Sequence, residues 1–264
     1  MMNNIVDSYE NSKEEHRLTT NNARKIEYLT TIRAFDDLFL PNVKILDCAA
    51  GTGIYAFYLA EKGHNVVATD ITPRHIEYIN KQLETQKYKM ETAVLDATDL
   101  SLFPNDYFDV VLNMGPFYHL INEEDRKKCM SECLRVLKKG GLLVTAYISR
   151  YFVFPYVAIS DNKYLKAELA SQLYKTGILK HSDPNCFWTD SYYASPEEME
   201  DCYTANSLEI VDHFAQDGIA PMLRSSIDNW NEDQFVIWCE YHYQSCREKS
   251  TLGNSNHNLI VGRK

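Results

Sequence analysis

Residues 43–55 read VKILDCAAGTGIY. An apolar, partly β-branched run ends on Asp47, a turn of small residues follows, and a helical pattern begins near Ile54. Small residues in such a turn let backbone approach a ligand, and the first N–H groups of the following helix point at it. Outward from this turn the alternation continues: GIYAFYLAEKG (53–63), NVVATD (65–70), TPRHIEYINKQLETQK (72–87), ETAVLD (91–96), FDVVLNMG (108–115), NEEDRKKCMSECLRVLKKGG (122–141) and LLVTAYIS (142–149). Strand-like runs alternating with helical ones imply a parallel sheet covered by helices.

The punctuation agrees with that reading. Gly63 closes the first helix, Thr72-Pro73 reads as an N-cap followed by proline in the first turn, and Gly140-Gly141 is expected to end the long helix. Before the core, Ile26, Leu29, Phe35, Leu38 and Phe39 fall roughly on one helical face, and Pro41 stops the pattern. After Ile148 the alternation lapses for a stretch rich in Tyr, Phe and Trp, which reads as an inserted lid. It resumes at SPEEMEDCYTANSLEI (195–210), where Ser195, Pro196 and Glu198 form a helix start with capping-box character. NWNEDQFVIWCEYHYQSC (229–246) reads as a helix before the last strand, HNLIVGRK. The expected division is therefore a helical arm at 1–40, a cofactor-binding core at 41–150, a lid at 151–194, and the remainder of the core with a helical insertion at 195–264.

Composition bounds the function. With 45% apolar and 24% charged residues the chain is an ordinary globular protein. A net charge of −10 repels polyanions, and the pairs Lys127-Lys128 and Lys138-Lys139 lie among acids, so nucleic acid is not expected as a partner. Seven cysteines without a C-x-x-C pair, and a start without a signal segment, point to a reduced cytoplasmic protein. Cys129 and Cys133 share a helical face but make a poor zinc site, so no metal is expected. No apolar run is long enough to span a bilayer. The sequence is silent on oligomeric state.

Taken alone, the turn is ambiguous. Gly51, Gly53 and Ala56 satisfy a G-x-G-x-x-A dinucleotide fingerprint with Asp70 placed to hold a ribose, which leaves a nicotinamide enzyme open. LDCAAGTG, then VVATD, LDATDL, FDVVLNMGPFYHL and LRVLKKGGLLVTAYIS, in that order, resemble the class I methyltransferases of the UbiE-like, or type 11, group over roughly residues 43 to 150. The resemblance implies a Rossmann-like, doubly wound α/β fold of seven mostly parallel strands with a helical lid, and S-adenosylmethionine as cofactor, released as S-adenosylhomocysteine. It further implies Asp70 on the ribose hydroxyls, Asp96 on the adenine amino group with the Ala97 backbone reading the ring, and Ile71 packed on the adenosine. Ala49, Gly51 and the turn that includes Gly53 would cradle the methionine part, with Asn113 beside it. Ala49 departs from the glycine common at that position in the family. Asp47 is read as an orienter of the turn rather than a ligand. Arg17, in EEHRL, is a candidate to close over the cofactor carboxylate.

The acceptor side rests on weaker signals. His119, after the fourth strand, is the candidate general base, with Tyr118 shaping the pocket or sharing a proton. Phe152, Phe154, Trp188, Tyr192 and Tyr193 could wall an apolar acceptor, and Arg150 and His181 are secondary polar contacts. For each, packing is the alternative. The expected partner is a small-molecule methyl acceptor. A nucleobase methyltransferase and a non-catalytic S-adenosylmethionine-binding regulator are the competing readings.

Overall fold

The computed structural model describes residues 2–10, 14–88 and 90–264; of the expected arm at 1–40, residues 1 and 11–13 lie outside the described residues. Helices α1 (Met2–Glu10) and α2 (Asn22–Leu38) precede the sheet. Then come β1 (Lys44–Asp47), α3 (Ile54–Glu61), β2 (Asn65–Asp70), α4 (Pro73–Leu83), β3 (Glu91–Val94), β4 (Phe108–Asn113), α5 (Glu123–Val136) and β5 (Leu137–Ile148). The aromatic stretch supplies α6 (Arg150–Ser160), α7 (Ala167–Thr176), β6 (Ile178–Leu179) and β7 (Ser191–Tyr192). The chain ends with α8 (Pro196–Ala205), β8 (Glu209–Ala215), α9 (Arg224–Ile227), α10 (Glu232–Ser245), α11 (Lys249–Leu252) and β9 (His257–Arg263).

Seven strands form one sheet in the order β3-β2-β1-β4-β5-β9-β8. The pairs β1–β2, β1–β4, β2–β3 and β4–β5 are parallel, and β9 runs antiparallel to both β5 and β8. This is the class I methyltransferase fold. Alternating side chains explain its two cores. Ile45, Val110 and Val144 pack with α2, α3 and α4, whereas Leu46, Val111 and Leu143 pack with α5 and α8. Strands covered on both faces read as unbroken apolar runs, which is why β1, β2 and β4 were legible. Strand order reverses between β1 and β4, and the crevice at the carboxyl ends of strands at such a switch point is where open α/β sheets take ligands.

Two expectations are corrected. Helix α5 stops at Val136, and Gly140-Gly141 lie within β5 rather than at the helix end. The β4–β5 register shifts between Phe108 and Val110, and a Cβ on Gly141 would stand 2.7 Å from the Asp109 carbonyl, so these glycines serve an irregular strand start. Leu29 is 37% exposed and leaves the buried face of α2, which uses Ile26, Ala34 and Phe35. Two helix starts follow the reading: Thr72 holds the N-cap position of α4, without a side-chain capping bond, with Pro73 in the first turn, and Ser195 and Glu198 close a reciprocal capping box on α8.

The segment between β5 and α8 carries its own cluster of Val153, Val157, Leu169, Leu173, Leu179 and Tyr193, and a bridge between Ser149 and Ala194 draws its two ends together. Helices α9 and α10 pack on the start of α2 through Ile26, Ala220, Ile227 and Phe235. No described helix is long and apolar enough to cross a membrane.

Candidate active site

Three strands deliver acids to the same edge of the sheet: Asp47 ends β1, Asp70 ends β2 and Asp96 follows β3. Gly51 adopts a φ of 55°, and its N–H donates to Asp70 Oδ2 at 2.8 Å. Asp70 Oδ1 accepts from the Thr72 N–H at 2.8 Å and lies 3.2 Å from His75 Nδ1. Burial opposes charge on Asp70, but His75 and the two backbone donors prevail and hold its carboxyl below the ordinary range. Asp96 Oδ1 accepts from the Thr98 N–H at 2.8 Å. Asp47 has no such support: its Oδ2 is buried without a hydrogen-bond partner, and burial together with Asp70 pushes its pKa up to about 7.

These groups open into one cavity of about 760 Å³ that continues to the aromatic segment after β5. Arg17, Ala49, Gly51, Asp70, Ile71, Asp96, Ala97, Tyr118 and His119 all line it. Gly53 and Asn113, expected to touch the cofactor, do not. Gly53 caps α3 at φ 86°, where a Cβ would stand 3.0 Å from Ile79 and Phe57 side chains, so it is required by packing beneath the turn. Asn113 is fully buried with Oδ1 3.9 Å from Cys129 Sγ, on the side of β4 that faces α5. Asp47, read from the sequence as a non-ligand, does line the cavity. So do Tyr9 and His75, which no sequence pattern singled out.

His119 sits on the turn after β4 and is 7% exposed. Its Nδ1 lies 3.2 Å from the Asp190 carbonyl oxygen, which can only accept, so Nδ1 carries the proton. Nε2 is left as an acceptor and receives the Tyr9 hydroxyl at 2.8 Å. Burial lowers its pKa to about 4, which keeps the imidazole neutral at physiological pH. The Trp188 ring centroid is 4.8 Å away, and Tyr118 lies edge-on at the same centroid distance. The Tyr118 hydroxyl donates to the Met114 carbonyl at 3.2 Å, and burial raises its pKa, so it is a poor proton acceptor.

Of the lid aromatics, Trp188 and Tyr193 line the cavity, joined by Tyr156, Tyr164 and Phe187. Phe152, Phe154 and Tyr192 do not: Phe152 stacks on Tyr156, Phe154 packs in the lid cluster, and Tyr192 lies under the Arg126 guanidinium. Arg150 is held by Glu198 and the Tyr193 carbonyl, and neither Arg150 nor His181 lines the cavity.

Arg17 lines the cavity, but its fork is already engaged. Nη1 and Nη2 each reach a Glu27 carboxylate oxygen at 2.9 Å, and Nε lies 3.3 Å from Glu14. Two guanidinium N–H groups remain for a ligand. Behind Glu27, His257 Nδ1 lies 2.7 Å from Asp217 and 3.3 Å from Glu27. This trio is the set of possible metal ligands that comes together among the described residues. Arg17 pairs with Glu27, and His257 lies against both carboxylates, whose charge outweighs burial and raises its pKa, which makes the trio an ion-paired network. Cys129 and Cys133 are buried, with Cys48 Sγ 4.0 Å from Cys133 Sγ, and pack in the core.

Residues 45–141 match the family model for a methyltransferase domain. The chain carries a methyltransferase domain. The curated relatives that it resembles are methyltransferases named for different acceptors. A glycine/sarcosine N-methyltransferase from Parasynechococcus marenigrum is 30% identical over 128 residues, covering 46% of this chain and 45% of that protein. A demethylmenaquinone methyltransferase from Clavibacter sepedonicus is 38% identical over 125 residues, 47% of this chain and 48% of the relative. The chain thus spans about half the length of the curated relatives it matches. An S-adenosylmethionine-dependent methyltransferase from Methanosarcina mazei has the same fold, with a TM-score of 0.60 at 18% identity over 88% of this chain and 96% of that one. The matched span of the methyltransferase domain holds the strand-end acids, the turn and His119, whereas Tyr9, Arg17 and the lid lie outside it.

Proposed function

We propose that this chain is an enzyme that moves the methyl group of S-adenosylmethionine to a small-molecule acceptor. One observation carries the reading: a single cavity joins the small-residue turn and three strand-end acids to a neutral histidine and an aromatic wall. A sheet that only stored the nucleoside would not need the second half.

The residues present fit the cofactor. Asp47 has an orphaned, buried carboxylate oxygen of the right charge for the methionine ammonium group. A Cβ on Gly51 would meet nothing within 4 Å, so the turn is open on its cavity side. Asp70 would take the ribose hydroxyls with the acceptor capacity its present partners leave, and Asp96 Oδ2 the adenine amino group. The Ala97 backbone and Ile71 would border the adenine, and Ala49 and Gly51 the methionine part. Arg17 would offer its two remaining N–H groups to the carboxylate. When bound, the cofactor supplies an activated methyl group, so the protein has to align the acceptor and exclude water. His119 Nε2, with its tautomer fixed by Asp190, holds the acceptor's proton-bearing atom and takes its proton. Seven free cysteines suit a reducing compartment, and we place the enzyme in the cytoplasm.

Calorimetric titration with S-adenosylmethionine, S-adenosylhomocysteine and NADH tests this. Micromolar binding of the two sulfur nucleosides, followed by transfer of labelled methyl to an acceptor from a metabolite panel, is the expected result. Binding of NADH alone would overturn the assignment.

A further inference from the structure

We propose that the acceptor is a small apolar molecule with no anionic group, presenting one O–H or N–H to His119 Nε2 in the place now taken by the Tyr9 phenol. This deepens the methyltransferase reading and rests on it.

The lining of the lid half decides the charge. From Val153 to Tyr193 the cavity is walled by valine, tyrosine, phenylalanine, tryptophan and one serine, and none of these side chains is charged. Of the arginines and ion-paired histidines that line the cavity, Arg24 belongs to the start of α2, Arg17 precedes it, and His257 begins β9, where Glu27 and Asp217 engage it, so none of these comes from the lid segment. Arg17 is bidentate on Glu27, and the acids Glu14, Asp47, Asp70 and Asp96 line the same cavity. A carboxylate or phosphate seated against the lid would meet hydroxyls, the unpartnered Tyr193 OH among them, but no charge to balance its own, which is unfavourable for a buried anion. Aromatic faces, by contrast, accept neutral rings and tolerate cations. The acceptors in the names of the N-methylating relatives, glycine and sarcosine, carry a carboxylate, so this lid is built for something else.

The polar anchor decides the functional group. With Nδ1–H spent on Asp190, Nε2 can only accept, so its partner must be a donor. The protein itself supplies an example: the Tyr9 phenol donates to Nε2 at 2.8 Å, its ring edge-on to the imidazole at 5.5 Å. Tyr9 belongs to α1, a nine-residue helix whose end is tied to α4 by Arg74 Nη1 donating to the Glu10 carbonyl at 2.8 Å. A phenol or an amine on an apolar body can make the same bond. In the transfer step the acceptor's lone pair forms the new bond to the methyl carbon. The carbon–sulfur pair stays on sulfur, and the acceptor's proton passes to Nε2.

The test is equilibrium binding of 4-methylphenol, benzylamine and sarcosine to the full chain with saturating S-adenosylhomocysteine. At least one of the first two should bind and sarcosine should not, which also separates the phenol source from the amine source. Tyr9→Phe should bind the successful probe at least tenfold more tightly, because Nε2 is released, and His119→Asn at least tenfold more weakly. Sarcosine binding as well as the carboxylate-free probes, failure of both of those probes, or no gain in Tyr9→Phe would each overturn the proposal. Loss of methyl transfer in Tyr9→Phe would also overturn it, by making Tyr9 part of the proton path. S-adenosylhomocysteine binding, measured on every variant, reports folding. Its failure in the unsubstituted chain would count against the methyltransferase reading itself.

Discussion

The Gly51 N–H donates to Asp70 Oδ2 across 2.8 Å, so the turn after β1 is held in shape by the acid that ends β2. Two residues nineteen positions apart therefore form one structural unit. The same carboxylate that would receive a ribose first organises the backbone beside it.

Asp70→Ala is accordingly expected to weaken S-adenosylhomocysteine binding by more than one ligand hydrogen bond would suggest. Loss of charged-group bonds costs about 1.5–3 kcal/mol each. Affinity should fall at least tenfold by calorimetry. An unchanged dissociation constant would remove Asp70 from the site.

Gly53→Ala should cost stability rather than affinity. It forces a Cβ onto a φ of 86° and to 3.0 Å from Ile79 and Phe57, whereas the same change at Gly51, φ 55°, meets only open space. The backbone penalty alone is about 1–2 kcal/mol. Thermal melting should rank Gly53→Ala well below Gly51→Ala, and equal midpoints would contradict the packing role.

Asp47 sets a pH dependence. Its folded pKa, near 7, lies above the unfolded value of about 3.9, so its contribution is fully favourable below about pH 4 and declines as pH rises toward 7. Asp47→Asn should therefore melt higher than the parent at pH 8 and close to it at pH 4, while binding S-adenosylhomocysteine less tightly. Stabilisation of the variant at pH 4 but not at pH 8 would reverse the sign and sink the account.

His257 titrates the other way. Burial disfavours its charge, yet Glu27 and Asp217 outweigh burial and raise its pKa. The stabilisation from this pairing is complete below the unfolded value of about 6.5 and is lost as pH rises through the folded one. His257→Ala, which leaves the buried Asp217 Oδ2 without its imidazole partner while Arg17 still holds Glu27, should destabilise by about 3 kcal/mol at pH 6, with a smaller loss at pH 9. Urea denaturation at the two pH values measures the difference.

His119→Ala should leave cofactor binding intact and slow methyl transfer by about 10²–10⁴-fold, the range of a lost general base. Undiminished turnover would return His119 to a structural role.

The sequence by itself determined the sheet, the turn and the strand-end acids. These depend on local pattern: apolar runs covered on both faces, glycines at positive φ, and acids at fixed places after strands. Gly53 and Asn113 fall outside the cavity lining because a motif gives proximity to a ligand, not the direction in which a residue faces. Asp47 was passed over because burial without a partner is not visible along the chain. The pairing of Tyr9 with His119 joins residues 110 positions apart, and that of Arg17 with Glu27 joins an arm to a helix. Which lid rings face the cavity and which face the core was likewise decided only in three dimensions. Long-range contacts between irregular segments leave no period in sequence, since neither partner's position is fixed until the sheet has brought both to one edge.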